Sequence, residues 1–322
     1  MELPSRLRLA VDGALEGVAV SELATATKAL SHRYRNEVRD GRLHISDAKL
    51  ALAYIATRMP ATYAAIHASL TALAERAPDF APVTALDVGA GPGTVLWAAS
   101  DVWSDLQSVT LLEASPAIRA VGEKLTTASN LAHIDWRHTD ITRDAERLAP
   151  SDLVTLAYVL DELSAEQRNK LVDRLWSLTS GVLVIVEPGT TAGWRRILDA
   201  RARLIAAGAN ILAPCPHQQA CPIVEPDWCH FAARVARSRV HRLAKEAEVP
   251  WEDEKYIYLA ALRAPAAPAP ARILAPPESA TGRVRLKLCR PDGAAESRLV
   301  TRREGEAFKA ARRSDWGDTF DF

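Results

Sequence analysis

Three glycines fall within five residues in Leu86-Asp87-Val88-Gly89-Ala90-Gly91-Pro92-Gly93-Thr94, between a short apolar run and a helical stretch. This segment constrains the fold more than any other. Glycine lets the chain leave a strand, turn sharply and approach a ligand without a Cβ in the way. Further apolar runs at 109–112, 153–158 and 182–186 alternate with helical stretches such as 165–178. Strand alternating with helix at this spacing predicts an α/β architecture with a parallel, doubly wound sheet.

The loop reads GxGxG, with Thr94 where a dinucleotide-binding GxGxxG loop needs its last glycine, so no pyrophosphate has to be cradled. An acid just before the loop, Asp87, suits a ligand with an amino group. Glu113 closes the next strand, where a carboxylate can take both ribose hydroxyls. Asp140, after a third strand, is placed to meet an adenine edge. Asp87, Gly89, Gly91, Gly93, Glu113 and Asp140 therefore form a candidate S-adenosylmethionine site. The fourth strand runs into Ala157-Tyr158-Val159-Leu160-Asp161-Glu162-Leu163. It carries neither the Asn/Asp-Pro-Pro-aromatic segment of amino-methylating enzymes nor a cysteine for covalent chemistry on cytosine C5. Asp161 or Glu162 could act as a base, but two acids at a helix start more often cap it. No catalytic residue is assigned. The sequence supports cofactor binding better than methyl transfer.

Residues 1–79 read as helical, with a helix ending near Met59-Pro60 and the next running from Ala61 to Glu75. Residues 80–263 form the cofactor-binding domain, with a cysteine loop insertion at 208–231. A basic helix carrying Arg234, Arg237, Arg239, Arg242 and Lys245 is expected to follow the insertion, then a strand at 256–262. Residues 264–277 are rich in Pro and Ala, a stiff linker. Beyond it 283–289 alternates as a strand and enters a hairpin at Arg290-Pro291-Asp292-Gly293. At 322 residues and 48% hydrophobic the chain can bury a large core.

Cys215, Cys221, Cys229 and Cys289 are the only cysteines, separated by five, seven and fifty-nine residues. Four thiolates can complete the shell of a tetrahedral zinc or a cubane iron–sulfur cluster. Zinc usually takes tight pairs two to four residues apart, so this spacing leans toward a cluster. Zinc with His217 or His230 in place of one cysteine is the rival. A radical S-adenosylmethionine enzyme needs a compact CxxxCxxC loop, which is absent.

Net charge is zero but uneven: residues 191–322 hold 22 Lys+Arg against 16 Asp+Glu, and residues 1–190 hold 18 against 24. Basic clusters, here including Arg302, Arg303, Lys309, Arg312 and Arg313, can track a phosphate backbone. No apolar run is long enough to span a bilayer. Glu2, Asp12 and Glu16 disfavour a mitochondrial presequence, and a reducing, cytoplasmic compartment is the expectation.

Taken together, the chain resembles the methyltransferase-like 17 family. These are Rossmann-type proteins associated with the mitochondrial small ribosomal subunit, and they have bacterial relatives. The likeness covers nearly the whole chain. It rests on Tyr54-Ile55-Ala56-Thr57-Arg58-Met59-Pro60, the glycine loop, Leu160-Asp161-Glu162-Leu163 and the Cys-Pro-His…Cys-Pro…Trp-Cys-His-Phe block. Cys289 before its turn and Trp316-Gly317-Asp318 also fit, and the cysteine block is the specific part. The resemblance implies a Rossmann-like class I methyltransferase fold with an N-terminal helical region, an iron–sulfur insertion and a small C-terminal β hairpin segment. It implies a 4Fe-4S cluster on Cys215, Cys221, Cys229 and Cys289. It also implies association with small-subunit rRNA during ribosome assembly, as an assembly factor or as an active S-adenosylmethionine-dependent rRNA methyltransferase. A bacterial member acting as a monomer is expected.

Overall fold

The structure, a computed structural model, describes residues 1–36, 43–139 and 148–321. The chain opens with four helices, α1 (Ser5–Ala14), α2 (Val20–Arg35), α3 (Ala48–Thr57) and α4 (Met59–Arg76). Asp47 caps α3, accepting from Leu50 N at 3.0 Å, which satisfies an orphan N–H of the first turn. The break between α3 and α4 falls at Arg58, two residues earlier than Pro60 suggests. Pro60 lies inside the first turn of α4, where its missing N–H removes no intrahelical bond. α4 is buried on most of its circumference, and Ala61, Ala64 and Ala65 let it lie close to the sheet beneath.

Next come β1 (Thr84–Val88), α5 (Thr94–Val102), β2 (Ser108–Leu112), α6 (Pro116–Thr126), β3 (His133–Arg137) and β4 (Ser151–Ala157). They are followed by α7 (Ala165–Ser177), β5 (Thr179–Pro188), α8 (Thr191–Ala206), β6 (Asn210–Ala213), β7 (Phe231–Ala236), α9 (Arg239–Ala244) and β8 (Trp251–Leu262). The strands join in the order β3-β2-β1-β4-β5-β8-β6. The first five are parallel, and β8 runs antiparallel to β5. A doubly wound sheet with one reversed strand beside β5 is the Rossmann-like sheet of class I methyltransferases. Val182 to Val186 are at most 2% exposed, each worth about 1.5–3 kcal/mol on burial. Such apolar runs mark strands covered on both faces.

β6 and β7 lie end to end along one edge of β8. Tyr256 pairs with Pro188 of β5 on one side and Phe231 of β7 on the other, while Ala260 to Leu262 pair with β6. Residues 214–230, which carry three cysteines, bridge these two collinear strands. The expected basic helix is therefore corrected. Arg234 sits on β7, where Phe231 and Val235 are buried at strand spacing, and only Arg239–Ala244 is helical. Pairing with β8 overrides the helix propensity of an Ala/Arg-rich stretch.

The C-terminal segment is larger than a hairpin. β9 (Ala271–Ile273), β10 (Glu278–Ala280), β11 (Arg283–Cys289), β12 (Ala295–Thr301) and β13 (Thr319–Phe320) form a five-stranded antiparallel sheet. α10 (Glu306–Arg313) covers it with Phe308 and Ala311. The expected hairpin is β11–β12, registered Cys289 to Ala295. Residues 271–273, read from sequence as linker, instead form the strand between β11 and β13. Their alternation is too short to stand out beside five prolines. This sheet has its own core, including Ile273, Leu286, Leu288, Val300 and Phe320. Among the described residues no helix is long and apolar enough to cross a membrane.

Candidate functional site

The strand order reverses between β1 and β4, and a cavity of about 530 Å³ opens where their C-terminal ends diverge. This is the switch point at which open α/β sheets bind ligands. Gly89, Gly91 and Gly93 have φ of +68°, +55° and +80°, a region that side chains rarely adopt. A Cβ on Gly89 would come within 2.5 Å of Val159 Cγ2, whereas one on Gly91 would meet open space. Gly89 and Gly91 line the cavity, while Gly93 stands behind them as the N-cap of α5.

Glu113 lines the cavity at the end of β2 and is 9% exposed. Its Oε2 accepts from Gly91 N at 2.8 Å and its Oε1 from Ser115 N at 2.6 Å. The carboxylate thus ties the glycine loop to the turn after β2. Burial raises its pKa, against the pull of those N–H groups. Asp87 lies beneath the loop, off the cavity wall. Its Oδ1 accepts from Thr155 at 2.8 Å, but the buried Oδ2 has no partner. Burial raises its pKa to about 7. Asp140 lies outside the described residues.

Asp161 and Glu162 line the cavity from a single 3-10 turn. They do not cap α7. Ser164 does, in a reciprocal box with Gln167, because a hydroxyl at that position reaches the N3 amide. Burial, with Asp161 next, raises the pKa of Glu162 to about 8. The turn is held from below by Glu187, fully buried, which accepts from Leu160 N at 3.0 Å and pairs with Arg196 at 2.9 Å.

The far wall was not legible as a site. Tyr34, Tyr54 and Arg58 reach into the cavity from the N-terminal helices. Tyr158, at the exit of β4, has φ +59°. For a bulky residue this costs about 1–3 kcal/mol and persists where surroundings enforce it, often at functional sites. Its hydroxyl donates to Glu254 Oε1 at 3.2 Å, and Arg58 Nη2 stands 3.5 Å from the same oxygen. The local signal is the 54–60 segment, which carries both Tyr54 and Arg58.

The four cysteines are free thiols, and they line a second cavity together with His217, Trp194, Arg201 and Arg272. Cys215, Cys221 and Cys229 arrive from the loop between β6 and β7, and Cys289 from the end of β11. The cavity lies in the seam between the two sheets, where Trp194, Ile223, Leu274 and Cys289 pack together. Burial raises the pKa of Cys215 and Cys229 and pushes Cys289 up to about 12. His217 Nε2 is 3.4 Å from Cys289 Sγ. His230 is turned away from this cavity, stacked on Trp228 at 5.0 Å and edge-on to Trp316 at 4.9 Å. Among the described residues no group of three or more His, Cys, Asp or Glu is arranged to hold a metal ion. The thiols share a cavity without closing on one point.

The basic residues divide. Arg234 pairs with Asp253, and Arg237 and Lys245 pair with Glu252. Arg239, Arg242, Arg302, Arg303, Arg312 and Arg313 are exposed. The first two sit on α9 against α2 and α3, and the other four on the C-terminal unit.

Sheet order, the glycine loop at the switch point and the buried acid at the end of β2 define a protein of the Rossmann-like methyltransferase fold. Residues 48–321 match the family described as mitochondrial small ribosomal subunit Rsm22, and the chain belongs to that family. It is 30% identical to the human mitochondrial ribosome assembly protein METTL17 across 84% of this chain and 62% of that protein. It is 28% identical to the fission yeast (Schizosaccharomyces pombe) mitochondrial Rsm22-cox11 tandem protein 2 across 84% of this chain and 43% of that one. The chain thus spans only part of the length of these relatives. Among solved structures, an O-methyltransferase family protein of Burkholderia thailandensis aligns with 77% of this chain and 72% of its own, at 14% identity and TM-score 0.48.

Proposed function

We propose that this chain is an assembly factor of the small ribosomal subunit that binds rRNA. In this reading it keeps S-adenosylmethionine or its demethylated product in the switch-point cavity and carries a 4Fe-4S cluster on Cys215, Cys221, Cys229 and Cys289. The observation that carries binding over catalysis is the exit of β4. There Tyr158, Arg58 and Glu254 are engaged with one another, and Val159 lies over Gly89. Those three side chains are committed to one another and not to aligning an acceptor. The human relative is named a ribosome assembly protein, which agrees with this reading.

The cofactor is supported by charge. S-adenosylmethionine carries a sulfonium and an ammonium, and Glu113, Asp161 and Glu162 line the cavity, with the unpartnered Oδ2 of Asp87 beneath. Bound there, it would supply an electrophilic methyl group. The cluster is supported by the donor set. Zinc requires its sulfurs about 2.3 Å from one point. Each thiolate of a cubane binds a different iron, and the four thiols of this cavity supply one for each. Cys289 would then tie the C-terminal unit to the main body.

An active rRNA methyltransferase is the second reading, favoured by Glu162. A carboxyl raised to about 8 within the cavity is matched to proton transfer near neutral pH.

One experiment separates them. Anaerobically purified protein is mixed with precursor small-subunit particles and labelled S-adenosylmethionine, then sedimented. Co-migration without label in the RNA is expected. Label in rRNA would replace this reading with the second, and free sedimentation would overturn both.

A further inference from the structure

Two arginines occupy the wall of the cysteine cavity. Arg201 of α8 and Arg272 of β9 both line it and are each 5% exposed. Arg201 Nη2 donates to His217 O at 2.7 Å, and Arg272 Nε to Pro214 O at 3.1 Å. Arg272 also donates to Gly317 O. Every oxygen they reach is a backbone carbonyl, and among the described residues no carboxylate pairs with either. Removing a guanidinium from water costs several kcal/mol unless a counter-charge is present. The buried arginine elsewhere in this fold obeys that rule, since Arg196 has Glu187.

A second observation points the same way. Arg201 Nε and Trp194 Nε1 are buried with no hydrogen-bond partner, and both residues line this cavity. Buried donors without acceptors are rare in folded proteins and call for an explanation. Two cationic side chains, two orphan N–H groups and four thiols around one space describe a shell built for an anion whose acceptors are sulfur.

We propose that Arg201 and Arg272 are the counter-charges of the four-cysteine centre and, with the indole of Trp194, hold its reduction potential up. The inference rests on the cluster reading above. Four thiolates around a core with two positive charges leave a net charge of about −2, and net charge and hydrogen bonds to sulfur both set such potentials. Two guanidinium groups balance that charge. One-electron reduction adds a further negative charge, which nearby cations and N–H donors stabilise, so their loss lowers the potential. Arg272 has a further consequence. It bonds Pro214 beside the first ligand and Gly317 before the last strand, so the group that balances the centre also ties the C-terminal segment to the cysteine loop.

The test compares Arg201→Gln, which removes charge and keeps hydrogen-bonding capacity, with Arg201→Lys, which keeps charge. Iron and sulfide content are measured, then the midpoint potential by anaerobic spectroelectrochemistry. Arg201→Gln is expected to disfavour reduction about tenfold, ~59 mV for a one-electron couple, with a smaller shift for Arg201→Lys. Arg272→Gln should shift the potential in the same direction. Cluster loss in Arg201→Gln but not in Arg201→Lys would show the same need for charge at the assembly step. Unchanged potential in both glutamine variants overturns the proposal, as does equal cluster loss in Arg201→Gln and Arg201→Lys. Parent protein purified anaerobically without iron would instead overturn the cluster reading itself.

Discussion

Among single residues, Asp87 is a buried acid satisfied on one side only. Its carboxylate is 1% exposed, with one oxygen bonded to Thr155 and the other to nothing. Burial is the main cause of its pKa rising from 3.8 to about 7, with Glu113 adding repulsion and Thr155 opposing. A raised native pKa means that folding takes up a proton between those two values. Stability is therefore full below the unfolded value and is lost as pH climbs through about 7. Asp87→Asn keeps an acceptor for Thr155 and removes the ionisation. The variant should exceed the cofactor-free parent in melting temperature at pH 8, and the gap should narrow by pH 5. A gap of constant size across that range would mean that Asp87 is not the titrating group. This residue was legible as an acid before a glycine loop, but its position under the loop was not, because spacing gives the strand end and not the depth. Glu113 was more legible, since a strand end at β2 fixes it beside the loop. Tyr34 and Glu254 carry no local signature: Tyr34 reaches the cavity through a helix packed from far along the chain, and Glu254 reaches Tyr158 and Arg58 from a reversed strand.

For the elements, the seam between the sheets depends on few attachments. Cys289 ends β11, Lys287 two residues earlier pairs with Asp227 of the cysteine loop, and Trp316 packs edge-on against His230. The C-terminal sheet has its own core. Loss of one attachment should thus detach it before it unfolds. Cys289→Ser, made with the centre assembled anaerobically, should bring protease cleavage within 264–270 at doses that leave the parent whole, while the 80–263 fragment persists. Equal protection of mutant and parent would remove the tethering role. β1, β2, β4 and β5 were readable because burial on both faces writes an apolar run. β3, with the sequence His-Ile-Asp-Trp-Arg, is a half-exposed edge strand and writes no such pattern. β7 writes no strand pattern because its pairing partner, β8, lies beyond α9 and supplies the structure that its own composition does not.

Across the whole molecule, the excess positive charge of residues 191–322 is the property that bears on RNA, and the structure sorts it into used and available parts. Arg234 holds Asp253 through two hydrogen bonds at 2.8 and 2.9 Å, and Glu252 is shared by Arg237, Lys245 and the buried His241. A phosphate must displace those carboxylates to gain the arginines. Arg302, Arg303, Arg312 and Arg313 have no such partner among the described residues and stand on one compact unit, so they can replace condensed counterions directly. Each phosphate contact of that kind contributes about one ion to the slope of log affinity against log salt. Arg302→Gln with Arg303→Gln should therefore flatten the slope for a small-subunit rRNA fragment by about two, as should the pair at 312 and 313. Arg234→Gln should leave it almost unchanged. Fluorescence anisotropy across a salt series reads all three. Equal flattening by Arg234→Gln would mean that its pair with Asp253 opens on binding and that β7 joins the RNA surface, whereas flat slopes in both C-terminal pairs would move the RNA contact off this unit.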